Sequence, residues 1–241
     1  MTRKSDFGSV REVAKPGAPF GRRLYFSAGE IEEICADALE VSGCLPSEPA
    51  PIEIELFIEK YFECRILYEE IKPGVLGFAE FDANGRVEAV GAARSLFDGG
   101  SIGERRVRST LAHEAGHGLL HATLFAAAYE SHPLLDGSFD YERRRIMCRA
   151  EDLRRGYDGY DGKWWEWQAN QAIGGLLLPQ RLVEACVKPL LEERGALRLR
   201  ELPASNRERA ARVLAYTFEV NRAVARIRLT VLSPPSSQLS L

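Results

Sequence analysis

Residues 109–125 read STLAHEAGHGLLHATLF. Three of the chain's four histidines stand in this stretch, each four residues after the last: His113, His117 and His121; the fourth, His132, follows closely. Upstream, Ser101 and Glu104 have the spacing of a capping box, so one helix is expected from there through His121. On a helix, residues four apart differ by about 40° in direction and about 6 Å in height. The imidazoles of His113 and His117 then point into the same cleft and can meet one zinc ion at roughly 2.0–2.1 Å. Glu114 lies beside them, too displaced to ligate comfortably but able to reach a water on the metal. The ion lowers the pKa of that water toward ~7, and Glu114 can take its proton and later pass it to a leaving amine. His-Glu-x-x-His at this spacing is the zinc-peptidase motif.

A helix with stray histidines on a polar face is the rival reading. It leaves Ala112, Ala115, Gly116 and Gly118 unexplained. These are small residues, suited to a helix that packs closely and leaves room for a metal and a substrate. His121 is about 12 Å along the helix from His113, too far for all three histidines to hold one ion without strain. It is expected behind a ligand or at the helix C-terminal end rather than on the metal. His132, before Pro133, reads as a surface histidine.

A catalytic zinc takes three protein ligands and keeps one position open. The downstream carboxylates are Glu130, Asp136, Asp140, Glu151, Asp152, Asp158, Asp161 and Glu166. Most lie in a polar segment and read as solvated charge. Glu166 differs, because it sits beside Trp164, Trp165 and Trp167 on an apolar helix, where an unpaired carboxylate is costly. A carboxylate there needs a cation. Two rivals stay open: His121, or an aspartate of the 136–161 segment, with Glu166 pairing an arginine instead. Asn170, one turn beyond Glu166 on the same face, can orient a ligand or a peptide carbonyl.

Outward from these helices, "SAGEIEEICADALEVSG" predicts a helix capped by Ser27 and Glu30, burying Ile31, Ile34, Cys35, Ala38 and Leu39 and ending at Gly43. Ile54, Phe57, Ile58 and Tyr61 have helical spacing, although "IEIEL" also alternates like a strand. "CRILYEEI", "GVLGFAEFD" and "RVEAVGAA" read as strands, with "DANGRV" as the hairpin turn between the last two. Residues 126–163 read as irregular, with a short helix over Tyr141–Leu153. A helix over "KWWEWQANQAIGGLLLP" stops at Pro179, and "QRLVEACVKPLLEERG" is expected as a helix kinked near Pro189. The stretch 206–232 reads as two helices broken near Glu219–Asn221. The expected division is a flexible arm over 1–26, a main domain over 27–195, a C-terminal helical subdomain over 196–232 and a disordered tail over 233–241.

The totals restrict the class of protein. The chain has 241 residues, 45% hydrophobic and 28% charged, with a net charge of −3. That balance gives no basic coat for nucleic acid or an anionic membrane, and no run is long enough to span a bilayer. Five cysteines without a CxxC pair read as free thiols of a reducing compartment. The N-terminus lacks the apolar core of a secretory signal, so a cytoplasmic location is expected.

The two helical motifs together resemble the ImmA/IrrE metallopeptidases. That family shows R-x-x-H-E-x-G-H-x-x-x-H and, later, E-x-x-A-N-x-x-A-A-x-L-L-M-P. Here "RSTLAHEAGHGLLH" and "EWQANQAIGGLLLP" stand in those places. Glu166, Ala169, Asn170, Leu176, Leu177 and Pro179 match, while Ala172, Ile173 and Gly174 depart from the usual Phe-Ala-Ala. "LAYTFEVNRAVARIRLTVL" resembles the family's closing helical pair, with Asn221 where Ser is common. The resemblance spans roughly residues 50–232, and the segment between the two motifs is longer than usual. It implies an α+β, zincin-like fold with a small mixed or antiparallel sheet, an active-site helix and a helix-turn-helix-like C-terminal subdomain. It also implies one zinc per chain held by His113, His117 and Glu166, with Glu114 as general base. The implied substrate is a helix-turn-helix repressor of phage, mobile-element or stress-response genes. Two other readings accompany it: a catalytically silent antitoxin or adaptor on the same fold, and a DNA-binding regulator acting through Arg222, Arg226 and Arg228.

Overall fold

The computed structural model describes residues 11–14, 22–128, 139–140, 145–150, 163–194 and 199–234. The architecture is mixed α and β, with helices packed around small sheets. The centre is a five-stranded sheet of β3 (Arg65–Glu69), β4 (Val75–Phe81), β5 (Val87–Ala93), β6 (Phe139–Asp140) and β7 (Arg145–Arg149), in the order β3-β5-β4-β7-β6. Only β3 and β5 run parallel; the other pairs are antiparallel. Helix α3 (Gly100–Ala128) lies across β4 and β5. Helix α4 (Trp164–Leu177) packs against α3, and α1 (Ala28–Val41) packs against α4. Helix α2 (Ile54–Phe62) contacts α3 from another side.

Local chemistry accounts for most of the boundaries. At the start of α1, Ser27 Oγ accepts from the Glu30 N–H at 3.2 Å and the Glu30 carboxylate accepts from the Ser27 N–H at 2.6 Å, the reciprocal capping box. At its end Gly43 adopts φ +66°, and the N–H groups of Gly43 and Cys44 donate to the Glu40 and Leu39 carbonyls, a Schellman closure. In the β4–β5 turn only Gly85 has positive φ, at +78°. The Asp82 carboxylate accepts from the N–H groups of Asn84 and Arg86, both at 2.8 Å, so a side chain rather than a second left-handed residue closes the turn.

Helix α3 is buried on all sides over residues 109–118, the mark of a central helix. Cross-strand partners share a face of a sheet, so the register Gly77↔Cys148 and Ala79↔Ile146 sets which side chains of β4 and β7 look toward α3. Phe78 and Met147 look the other way, into a smaller cluster with Val75. There Arg145 lies 3.7 Å over the Phe78 ring and bonds Glu80 and Glu69, both at 2.8 Å, tying β7 to β4 and β3.

Several expectations are corrected. The arm over 1–26 contains an antiparallel pair, β1 (Arg11–Ala14) with β2 (Arg22–Tyr25). The helical reading of Ile54, Phe57, Ile58 and Tyr61 holds, since α2 starts at Ile54, and the strand alternative for "IEIEL" falls. Ser101 sits inside α3, which follows a 3-10 turn over Arg94–Gly99 and continues past His121 to Ala128. Of the helix expected over Tyr141–Leu153, the described residues Arg145–Arg149 form strand β7 and only Ala150 is helical. "QRLVEACVKPLLEERG" stays helical only as α5 (Gln180–Val187), then forms a 3-10 turn over Lys188–Leu190 and strand β8 (Glu192–Arg194), which pairs with β9 (Leu199–Glu201). The closing pair is as expected: α6 (Ala204–Thr217) and α7 (Arg222–Leu232), with the break at Glu219, φ +52°, between them. Asn221 occupies the N-cap position of α7 without a side-chain hydrogen bond there. One hydrophobic cluster runs from Leu24 to Leu229, so the C-terminal helices join the core of the main domain.

The arginines considered for DNA contact all pair with carboxylates, Arg222 and Arg226 on the exposed surface and Arg228 within the fold. Arg226 forks onto Glu208 at 2.9 Å through both nitrogens, and Arg222 lies 3.6 Å from the same carboxylate. Arg228 is buried, donating to the Leu178 carbonyl and to Glu32. Among the described residues no helix is long and apolar enough to cross a membrane. None of the five cysteines is in a disulfide.

Candidate metal centre

The close crossing of α3 and α4 builds the site. A Cβ on Gly116 would stand 2.8 Å from Ala172 Cβ and 3.2 Å from the Ala169 main chain. Only a hydrogen at position 116 lets the helices approach this far, and the approach brings Glu166 against the histidines. Gly118 plays the same part toward Phe62 and Val87. Gly116→Ala therefore sets two effects against each other. Alanine favours a helix by about 1 kcal/mol, but overpacking a tight core costs about 1–3 kcal/mol. With 2.8 Å to a methyl and main chain behind it, overpacking wins. The variant is expected to unfold at lower urea concentration and to bind metal more weakly; a higher midpoint would show that the helices can part.

His113, Glu114, His117 and His121 are all at 0% exposure, and Glu166 is at 3%. His113 Nε2 lies 3.0 Å from Glu166 Oε2 and 3.1 Å from His117 Nε2; His117 Nε2 lies 3.6 Å from the same oxygen. Three potential ligand atoms thus converge. Their partners show what they carry. His113 Nδ1 lies 3.1 Å from Asn170 Oδ1, an acceptor, so with a cation on Nε2 the ring proton sits on Nδ1. His117 Nδ1 lies 3.0 Å from His121 Nδ1. Burial, and then the neighbouring His117, push the His121 pKa down to about 3, so His121 is neutral near pH 7. Burial alone would raise the Glu166 pKa; positive charge at His117 and His113 more than offsets this and holds it well below the usual carboxylate range, a part that a bound cation takes when both rings are neutral ligands. Glu166 is ionised, and its Oε1 has no hydrogen-bond partner among the described residues.

An anionic oxygen and two imidazole Nε2 atoms facing one another, each ring with its other nitrogen on a neighbour, are a donor set for a cation. His113, His117 and Glu166 can hold a metal ion, their ligand atoms lying within 4.8 Å of one another. Three protein ligands would leave a position on such an ion open. The fit rests on the chemistry of these atoms.

Glu114 faces β4: a Cβ on Gly77 would come within 3.0 Å of Glu114 Oε1 and 2.4 Å of Thr110 Cγ2. Asn170 reaches His113 as expected of a group one turn from Glu166. His121 stands behind His117 and outside the converging atoms. Glu130, His132, Asp136, Glu151, Asp152, Asp158 and Asp161 lie outside the described residues, and Asp140 is described only as a backbone position of β6. Two neighbours of the centre escaped the sequence reading. Cys148, from β7, is buried and groups with His113 and Glu114 within 4.8 Å. Its place follows from the Gly77↔Cys148 register, which no local pattern encodes. Gln168, two residues after Glu166, is 3% exposed and bonds His121 at 2.8 Å. A buried glutamine among tryptophans was the available signal.

Compared with protein-family models, curated proteins and solved structures, the chain matches none of them.

Proposed function

We propose that this chain is a zinc-dependent endopeptidase of narrow specificity, on a zincin-like fold, that cuts or inactivates a helix-turn-helix repressor. The observation that carries the peptidase part is the convergence of His113 Nε2, His117 Nε2 and Glu166 Oε2 beside a buried Glu114. His113, His117 and Glu166 would hold the zinc, which supplies Lewis acidity toward a peptide carbonyl and an attacking water. Glu114 takes the proton of that water on a carboxylate oxygen and returns it to the leaving amine. Asn170 holds the His113 ring by accepting a hydrogen bond from its Nδ1–H on Oδ1. The close seating of α3 and α4 keeps these groups in one arrangement, as orientation-dependent catalysis requires.

The repressor as substrate rests on the resemblance to the ImmA/IrrE peptidases. The test mixes zinc-loaded protein with repressors encoded beside it and follows fragments by mass spectrometry. A single cut, lost on chelation and regained with zinc, is the expected result. Casein is expected to stay intact over the same period. Its rapid degradation would replace narrow specificity with general proteolysis.

A further inference from the structure

Behind His117 runs a chain of buried polar groups that the proposed mechanism does not use. His117 Nδ1 lies 3.0 Å from His121 Nδ1, His121 Nε2 lies 2.8 Å from Gln168 Oε1, and Gln168 Nε2 donates to the Leu24 carbonyl of β2 at 2.9 Å. Each link dictates the next. A carbonyl only accepts, so the Gln168 amide must turn its NH2 group toward Leu24 and its oxygen toward His121. That oxygen also only accepts, so the His121 proton sits on Nε2. A neutral imidazole has one N–H and one lone pair, which leaves His121 Nδ1 as an acceptor. His117 must then donate from Nδ1, and its Nε2, the atom facing His113 and Glu166, is left bare.

We propose that Gln168 is a positioning residue that fixes the tautomer of His117 through His121, taking its own orientation from the β2 main chain. The assignment rests on His117 being a metal ligand. It adds a connection between the N-terminal hairpin and the centre: an unseated β2 frees the Gln168 amide to turn over. A turned amide presents NH2 to His121, moves the His121 proton to Nδ1 and sets it against the Nδ1 proton of His117. His117 then has to carry its proton on Nε2, where it blocks a metal.

Nitrogen-15 NMR of the imidazoles in zinc-free wild-type protein tests the relay without the metal. His121 is expected with its proton on Nε2 and a bare Nδ1; a proton on Nδ1 overturns the proposal. Zinc affinity, from competition with a chromophoric chelator, tests the consequence. Gln168→Met keeps the length of the side chain but removes its oxygen and NH2, and His121→Leu removes the acceptor for His117. Each is expected to weaken zinc about 10-fold or more, the scale of partners behind a ligand. The two lie in series, so the double variant should lose little more than either single one. Independent, additive losses would mean mere packing roles and would overturn the relay. Linkage is reciprocal, so zinc should slow amide exchange in β2 of wild type but not of Gln168→Met. Exchange in β2 indifferent to zinc in wild type would remove the hairpin from the proposal. A wild-type chain that takes up no zinc would instead retire the peptidase reading, while the tautomer of His121 still decides the relay.

Discussion

Replacing Glu166 with alanine is expected to weaken zinc binding by at least about 10- to 100-fold, the range in which even groups behind a ligand are felt, and His121→Ala is expected to cost less. The difference follows from charge and place. His113 and His117 are neutral donors, so without Glu166 the ion keeps its full double charge inside a site at 0–3% exposure. Glu166 Oε2, at 3.0 and 3.6 Å from the two Nε2 atoms, provides the offsetting charge. His121 acts only through His117. Glu166→Gln separates charge from size, because it retains an oxygen donor, and its affinity should lie between wild type and Glu166→Ala. Zinc titration by chelator competition gives all three values. Glu166→Ala binding like wild type while His121→Ala loses the metal would reverse the assignment of the third ligand.

The parts of the centre that could be read in sequence are those that depend on a single helix. His113, Glu114 and His117 declare themselves because a 3.6-residue period converts spacing into direction without any partner. Glu166 and Asn170 share that advantage, and the cluster of tryptophans marks their helix as buried. What escaped depends on two elements meeting. Cys148 reaches Glu114 only through the pairing of β7 with β4, and Gln168 matters because β2 offers it a carbonyl. The strands fared unevenly for a similar reason. In β4 and β5 a turn signal lies between two apolar runs. Strand β7 is buried at Arg145, Ile146, Met147 and Cys148, so it lacks the alternation that identifies a half-exposed strand. Strands β1, β2, β8 and β9 have three or four residues each, too few to show a period at all.

Glu114→Gln should leave one zinc bound per chain and lower the rate of cleavage by about 10²- to 10⁴-fold, the usual contribution of a positioned general base. The two side chains are nearly the same size, so the contacts of Glu114 against Gly77 and Thr110 should survive. An amide cannot accept and return a proton, which isolates the loss to chemistry. Zinc content by elemental analysis, together with the rate of repressor cutting, reads both halves of the prediction in one preparation. Loss of the metal would place Glu114 among the ligands, a role compatible with its grouping with His113 and Cys148. Unchanged cutting would move the general base elsewhere. The variant also separates the peptidase from a silent antitoxin or adaptor. A binding protein needs the surface of the fold and not the proton-accepting oxygen of Glu114, so its effect on a repressor or toxin should persist in Glu114→Gln. For a peptidase, the same substitution removes the effect while the folded, zinc-loaded chain remains.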